Sequence, residues 1–206
     1  MTERGSVLTG FVVALLLALP FAALSQGTQA GTARMAVGGL LIVHSDGVED
    51  RLQGKGAVQL FDQDVLTTEG GGRAVLDLAG GGVVALNENT SMRLTSRWEK
   101  AKGVTRVIRL DRGEIWLRSP AGQNPIEVET PLGVAVTEQG ELVARQHEGE
   151  TAITAVQGEV EFVNIYGACR LRPATVTYSS RGKACTTPAQ TDVRSASAWS
   201  GPLLQP

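Results

Sequence analysis

The side chains best suited to metal binding are few and widely separated in this sequence. The two histidines, His44 and His147, have no second ligating residue at the spacing of a transition-metal site. The sequence also lacks the His-x-His pair expected of a metal-dependent cupin. His147 lies in the polar segment 145–150, which is typical of a solvent-exposed hairpin turn. We therefore predict neither a metal site nor any other cofactor.

Two pairs of acidic residues could supply a general acid and a general base. Asp62 and Asp64 are separated by one residue, as are Glu127 and Glu129. This spacing places both carboxylates of a pair on one face of a β-strand. Because paired carboxylates hydrolyse glycosides, a β-rich hydrolase is one hypothesis. Acidic pairs are also common on solvent-facing strands, and we favour this second interpretation.

Nucleophilic catalysis has no supporting signature in the sequence. There is no Gly-x-Ser-x-Gly motif to place a serine on a sharp turn. The glycine triplets 70–72 and 80–82 lead into neither a helix nor a lysine, as a phosphate-binding loop would. We interpret both triplets as turns and predict that the protein is not an enzyme.

Tryptophan side chains are the strongest candidates for binding a partner. Trp116 alternates with Ile115 and Leu117, so on a strand it faces away from the side that those two share. It is therefore either an exposed recognition anchor or part of a second packed layer, covered by another segment such as the C-terminal tail. Trp98 lies in the charged segment 97–100 and is expected at the surface.

The N-terminal 25 residues have the pattern of a secretory signal peptide. Arg4 precedes an apolar run from Val7 to Ala18, Pro20 follows, and small residues surround a predicted cleavage site near Ser25. The alternative is an uncleaved membrane anchor over Val7–Leu24, whose 18 residues are about the minimum for a span. Either interpretation predicts a periplasmic or otherwise extracytoplasmic protein.

The rest of the chain is predicted to form one all-β domain. Residues 26–36 are small and polar and are expected to form a flexible linker. Residues 37–185 alternate short apolar runs with turn signals, which predicts a β-solenoid-like or sandwich domain. The predicted strands are 37–43, 58–61, 65–67, 73–78, 83–86, 91–95, 105–110, 114–117, 126–129, 134–137, 142–145, 151–156 and 160–163. Residues 186–206 are expected to form a polar surface tail with a short helix over 192–199.

Two cysteines, Cys169 and Cys185, lie near the end of the predicted domain. Export into an oxidising compartment makes a structural disulfide the favoured interpretation. A pair of reduced or redox-active thiols is the alternative, although the sequence has no Cys-x-x-Cys motif.

The formal net charge of −2 gives no basic field that would favour nucleic acid binding.

Three stretches between about residues 40 and 175 resemble the FecR-type extracytoplasmic domain of iron-dicitrate transmembrane sensors. The first runs from Leu60 to Thr68 and contains Asp64, the second runs from Gly72 to Leu94, and the third from Ile126 to Val160. The turn residues that match the family pattern are Asp64, Gly82, Thr130, Pro131, Gly140 and Gly158. Two positions depart from this pattern, since Gln63 replaces a glycine and Glu141 replaces a threonine.

The resemblance implies an exported, non-catalytic sensing or binding module of the cell envelope. It also implies a protein partner, such as the signalling domain of an outer-membrane receptor or a membrane regulator. Family members that regulate sigma factors carry a cytoplasmic domain before their membrane span, whereas six residues precede the apolar run here. We therefore expect a stand-alone form of the exported domain. An envelope scaffold or glycan-binding protein is the alternative function.

Overall fold

A computed structural model describes residues 27–100 and 103–204. The predicted signal peptide or anchor over residues 1–25 lies outside the described residues. Among the residues that are described, helices long and apolar enough to span a membrane are not found.

Most of the described chain is in β-strands and very little is helical, which confirms the predicted all-β fold. The strands are β1 (Gln29–Val43), β2 (Glu49–Phe61), β3 (Val65–Thr68), β4 (Arg73–Leu78), β5 (Val83–Leu86), β6 (Ser91–Glu99), β7 (Gly103–Ser119), β8 (Ile126–Thr130), β9 (Gly133–Thr137), β10 (Gly140–His147), β11 (Glu150–Gly158), β12 (Val160–Asn164), β13 (Gly167–Leu171), β14 (Thr175–Ser180) and β15 (Ala189–Gln190). Two short helices follow, α1 (Val193–Ser197) and α2 (Gly201–Leu204).

Two long strands, β1 and β7, each cross from one layer of the fold to the other. The C-terminal part of β1 pairs with β3, and its N-terminal part pairs with β4. In the same way, β7 pairs with β6 and β8 before Gly113, and with β5 and β10 from Gly113 onward. Gly113 has φ +93°, and a Cβ there would lie 2.4 Å from the Thr90 backbone. Only glycine allows this bend and this close approach.

Each layer continues outward from β7. One layer, called the first layer here, adds β8, β9, β12 and β13, and its pairing of β7 with β8 is parallel. The second layer adds β10, β11, β14 and β15. A single apolar core lies between the layers, and its side chains alternate along the strands with outward-facing ones. Phe162 of the first layer and Ile153 of the second are both fully buried in it.

The structure corrects the predicted linker over residues 26–36. Residues 29–36 belong to β1, where Ala30, Ala33 and Ala36 are buried between β2 and β4. Small side chains suit this position because the backbones approach closely. A Cβ at Gly31 would lie 2.4 Å from the carbonyl oxygen of Asp77. The composition that resembled a linker is therefore a packing requirement.

The predicted disulfide is present between Cys169 of β13 and Cys185, with a Cα–Cα distance of 6.3 Å. It joins the edge strand of the first layer to the segment that follows β14 in the second layer. Asn164 reinforces the same junction, because its Nδ2 donates to the Ser179 hydroxyl and to the Lys183 carbonyl. The β12–β13 hairpin is thus held from both sides.

The C-terminal tail packs against the outer face of the second layer. Asp192 caps α1 by accepting a hydrogen bond from the Arg194 backbone N–H at 3.0 Å. The Asp192 carboxylate also accepts from the Ser195 hydroxyl, and these hydrogen bonds lower the pKa of Asp192. Leu203 of α2 is 5% exposed. The tail is therefore a docked element of the fold and not only a polar surface segment.

Candidate binding surfaces

The turn before β3 is built around the buried carboxylate of Asp64. Its Oδ2 accepts a hydrogen bond from the Phe61 backbone N–H at 2.8 Å and lies 2.9 Å from His44 Nδ1. Gln63 adopts the left-handed conformation, with φ +74°. The left-handed conformation explains why the FecR-type pattern has glycine at this position. The turn forms here with a non-glycine residue.

His44 bridges two acids at this corner, since its Nε2 lies 3.1 Å from Asp50 Oδ2. Partial burial lowers the pKa of His44, but the hydrogen bonds and negative charges of Asp50 and Asp64 outweigh this, so the net pKa is raised. The protonated imidazole can donate to both carboxylates at once. This arrangement stabilises the corner between β1, β2 and β3 and contains no nucleophile.

The other family-pattern residues also lie in turns and strand ends. Gly82 precedes β5, and Thr130 and Pro131 lie at the β8–β9 turn, where the Thr130 hydroxyl donates to the Gly133 carbonyl. Gly140 and Gly158 pair with each other at the end of the β10–β11 hairpin. A Cβ at Gly140 would lie 2.1 Å from the Gln157 carbonyl oxygen, so these backbones need glycine to approach. Their positions point to a structural role.

Arginines engage the Glu127–Glu129 pair, and the Asp62–Asp64 pair lies at the turn before β3. Arg97 donates to Glu127 at 2.8 Å and to Glu129 at 2.9 Å, and Arg109 donates to Glu129 from the other side. Of the other pair, Asp64 is fully buried in its turn, and Asp62 lies 4.0 Å from Arg106. Neither pair is presented with a free acid and a free base across an open cleft, as glycoside hydrolysis requires.

Trp116 is 2% exposed, so the interpretation as an exposed anchor is wrong and coverage by the tail is what the structure shows. The tail side chains Trp199, Leu203 and Leu204 pack in the same cluster as Trp116. The strand residues of this cluster are Met35, Val75, Val83, Ala85, Val143 and Val156. Arg118 stacks over the indole ring at 5.0 Å. Sequence alternation placed Trp116 on the outer face correctly, but only the fold shows what covers that face.

Trp98 is 70% exposed and lies on β6, opposite Val104 of β7. Its predicted surface position is confirmed, although it lies within a strand and not in a loop. Its role in binding a partner stays a prediction.

A second apolar surface lies uncovered on the first layer. Val134, Val136 and Val163 point outward from β9 and β12, and they continue to the tip of the β12–β13 hairpin. At that tip Ile165 is 90% exposed and Tyr166 is 54% exposed. Together these five residues line a cavity of about 920 Å³, which we call the hairpin groove.

The rim of the hairpin groove is basic. Arg181 and Lys183 follow β14 and are both exposed. Sequence analysis did not identify the groove. The signal was available, because Ile165 and Tyr166 are large apolar residues between Asn164 and Gly167, where a hairpin tip would ordinarily be polar.

Among the described residues, His, Cys, Asp and Glu form no cluster of three or more that could hold a metal ion.

Comparison with known proteins agrees with this architecture. The sequence model of the FecR family, which is described as "FecR protein", matches residues 64–161. Two crystal structures of a "putative anti-sigma factor" from Parabacteroides distasonis, at 2.50 and 1.65 Å resolution, each have a TM-score of 0.57 to this chain at 19% sequence identity. In both, the alignment covers 66% of this chain and 63% of the crystallised one, so this chain spans less than two thirds of that protein.

The structural similarity establishes the fold, and no curated protein matches the sequence. The family match begins at the buried Asp64 turn and ends on β12, so it includes the bent strand β7 and strands of both layers but not β1 or β2. Residues 64–161 of the chain therefore match the FecR protein family and fold as its domain predicts.

Proposed function

We propose that the protein is an exported, non-catalytic sensing or binding module of the bacterial cell envelope that acts through contacts with another protein. The single observation that carries this proposal is the exposed apolar hairpin tip of a FecR-type domain. Ile165 is 90% exposed at the end of a hairpin that a disulfide and two hydrogen bonds of Asn164 hold in place. Rigidly held apolar side chains reduce the entropy lost on binding and are typical of interaction sites.

The disulfide supports an extracytoplasmic location, because such bonds persist in oxidising compartments. We propose that residues 1–25 direct export and are then removed, and that residues 29–204 act as one unit. The mass of the mature protein tests this directly. Cleavage near Ser25 and the absence of an alkylated thiol without reduction are expected. A protein that retains residues 1–25 would be anchored.

The similarity to an anti-sigma factor structure supports a place in signal transduction. We propose that the partner is a receptor signalling domain or a membrane regulator, which would carry the signal onward. The engagement of Glu127 and Glu129 by arginines supports a non-enzymatic role.

Crosslinking of the tagged protein in its native cell, followed by mass spectrometry, tests the proposal. Recovery of a receptor domain or membrane regulator is expected. Recovery of envelope glycan or wall-assembly proteins without any regulator would contradict it and favour a scaffold.

A further inference from the structure

The two layers differ in what covers their outer apolar residues. The outer face of the second layer is covered by the tail of the same chain, through Leu203 and its neighbours. The outer face of the first layer has apolar residues at Val134, Val136 and Val163, and Val163 is 40% exposed. Among the described residues, none covers the hairpin groove as the tail covers Trp116.

The floor of the groove suits an extended chain. Val134 and Val163 are direct cross-strand neighbours, and Val136 lies two residues along β9 on the same face. The lining of the groove also includes the β8–β9 turn and the tip of the β12–β13 hairpin. An extended segment that alternates apolar and polar residues would place its apolar side chains on these valines.

The charges at the rim of the groove indicate which polar residues such a segment would carry. Arg181 and Lys183 stand at the rim, and neither forms a salt bridge with an acid among the described residues. The acid that lines the groove, Glu127, is already paired with Arg97 at 2.8 Å. Two unpaired cations therefore remain, and a carboxylate-bearing ligand would complement them.

We propose that the hairpin groove docks an extended acidic segment of a partner protein, with apolar side chains on the valine floor and carboxylates against Arg181 and Lys183. A protein segment fits better than a membrane surface, because the apolar lining is a concave cavity that extends from the hairpin tip onto β9. It also fits better than a glycan, since Tyr166 is the one aromatic side chain that lines the groove. This inference rests on the proposed function and adds the site and the chemistry of the partner.

The first test uses the purified chain and two fluorescein-labelled ten-residue peptides, one alternating valine with glutamate and the other alternating valine with lysine. Fluorescence anisotropy should show that the glutamate peptide binds at least about tenfold more tightly, and that raising the salt concentration weakens its binding. NMR shift changes should centre on the methyl groups of Val134, Val136, Val163 and Ile165. Equal binding of both peptides, no binding of the glutamate peptide, or shift changes elsewhere would overturn the proposal.

Matched variants distinguish binding in the groove from non-specific binding through net charge or exposed apolar residues. R181E/K183E should weaken binding of the glutamate peptide about tenfold or more, whereas R51E/K55E, with the same change in net charge on exposed residues of β2, should not. Ile165→Ser should weaken binding, and Val48→Ser, at a 54% exposed valine in the β1–β2 turn, should leave it unchanged. Equal effects of the groove and control variants would overturn the proposal.

Photocrosslinking in the native cell distinguishes failure of this inference from failure of the proposed function. A photoreactive residue at Tyr166 should capture a partner, and mass spectrometry should map the link to an acidic, apolar-containing segment. Capture from Trp98 but not from Tyr166 would support the proposed binding function and overturn the groove as the binding site. Capture from neither position would count against both proposals. Selective binding of phosphatidylglycerol vesicles through Ile165 and Tyr166 would identify a membrane surface instead and overturn the proposal.

Discussion

The outer faces of the two layers differ in how far their large apolar side chains are exposed to solvent. On the second layer a large apolar side chain, Trp116, is 2% exposed because helix α2 and Arg118 cover it. On the first layer Ile165 and Tyr166 are open to solvent on a hairpin that a disulfide holds. Residues that the chain covers itself contribute to stability, whereas an uncovered but rigid apolar surface contributes little and is available for binding. Five substitutions or pH changes test this contrast, from the largest expected effect to the smallest.

Trp116→Ala should have the largest effect on stability. Removing a buried tryptophan side chain costs about 3–5 kcal/mol of unfolding free energy, because it loses burial and leaves a cavity. Urea unfolding followed by circular dichroism measures this loss. Trp116→Phe, which retains much of the buried volume, should lose markedly less. A loss under about 1 kcal/mol for the alanine variant would mean that the tail does not cover this face in solution.

Replacing both cysteines by alanine should lower the unfolding free energy by about 3 kcal/mol, as the chain-entropy model gives for a loop of this size. The variant tests whether the hairpin groove needs its crosslink. The wild-type protein treated with reductant is the control and should show a similar loss. Unchanged stability in both would contradict a structural role for the bond.

Leu203→Ala should lower the unfolding free energy by about 2 kcal/mol, the low end for a buried leucine, because the short tail can relax or detach. Its loss should not add to that of Trp116→Ala, since the two side chains share one cluster. Strict additivity in the double variant would show that the tail packs elsewhere.

The His44 corner should make stability depend on pH. Because Asp50 and Asp64 raise the pKa of His44 in the folded state, its contribution is fully present below its unfolded pKa. That contribution is lost as the pH rises through the raised, folded-state pKa. Unfolding of the wild type at about pH 5.5 and about pH 8 should show the loss, and His44→Gln should not share it. Identical pH profiles of the two proteins would contradict this account.

Ile165→Ala should change the unfolding free energy by no more than about 0.5 kcal/mol, because a 90% exposed side chain buries little on folding. It is the matched counterpart of Leu203→Ala on the other layer. A loss near that of Leu203→Ala would mean that the hairpin tip is covered in solution and would remove the contrast between the two faces.

Sequence patterns predicted the inner strands well. The predicted bounds of β4 and β5 agree with the structure, because both are short apolar runs bounded by glycine or asparagine turns. The predicted strands 105–110 and 114–117 are one strand, β7, since Gly113 bends the chain without ending its pairing. Strand β14 was not predicted, because three of its four buried positions carry Thr or Ser in place of apolar residues.

The candidate sites were harder to predict than the strands. Asp64 was identified through the family resemblance, but its partner His44 lies 20 positions away and was considered only as a metal ligand. The linker prediction failed because small residues serve both flexible segments and closely packed strands. The groove was missed because its floor and its rim come from segments that are distant in sequence.

The sequence by itself determined the all-β class, the positions of most turns, the cysteine pairing and the match to the FecR family, because alternation, glycine spacing and the number of cysteines are local or countable properties. Only the tertiary structure decided which outer face is covered. Trp116 and Val163 both alternate with buried neighbours, yet one lies under the tail and the other borders an open groove. The physical reason is that burial of an outward-facing side chain depends on a segment distant in sequence, which no local pattern records.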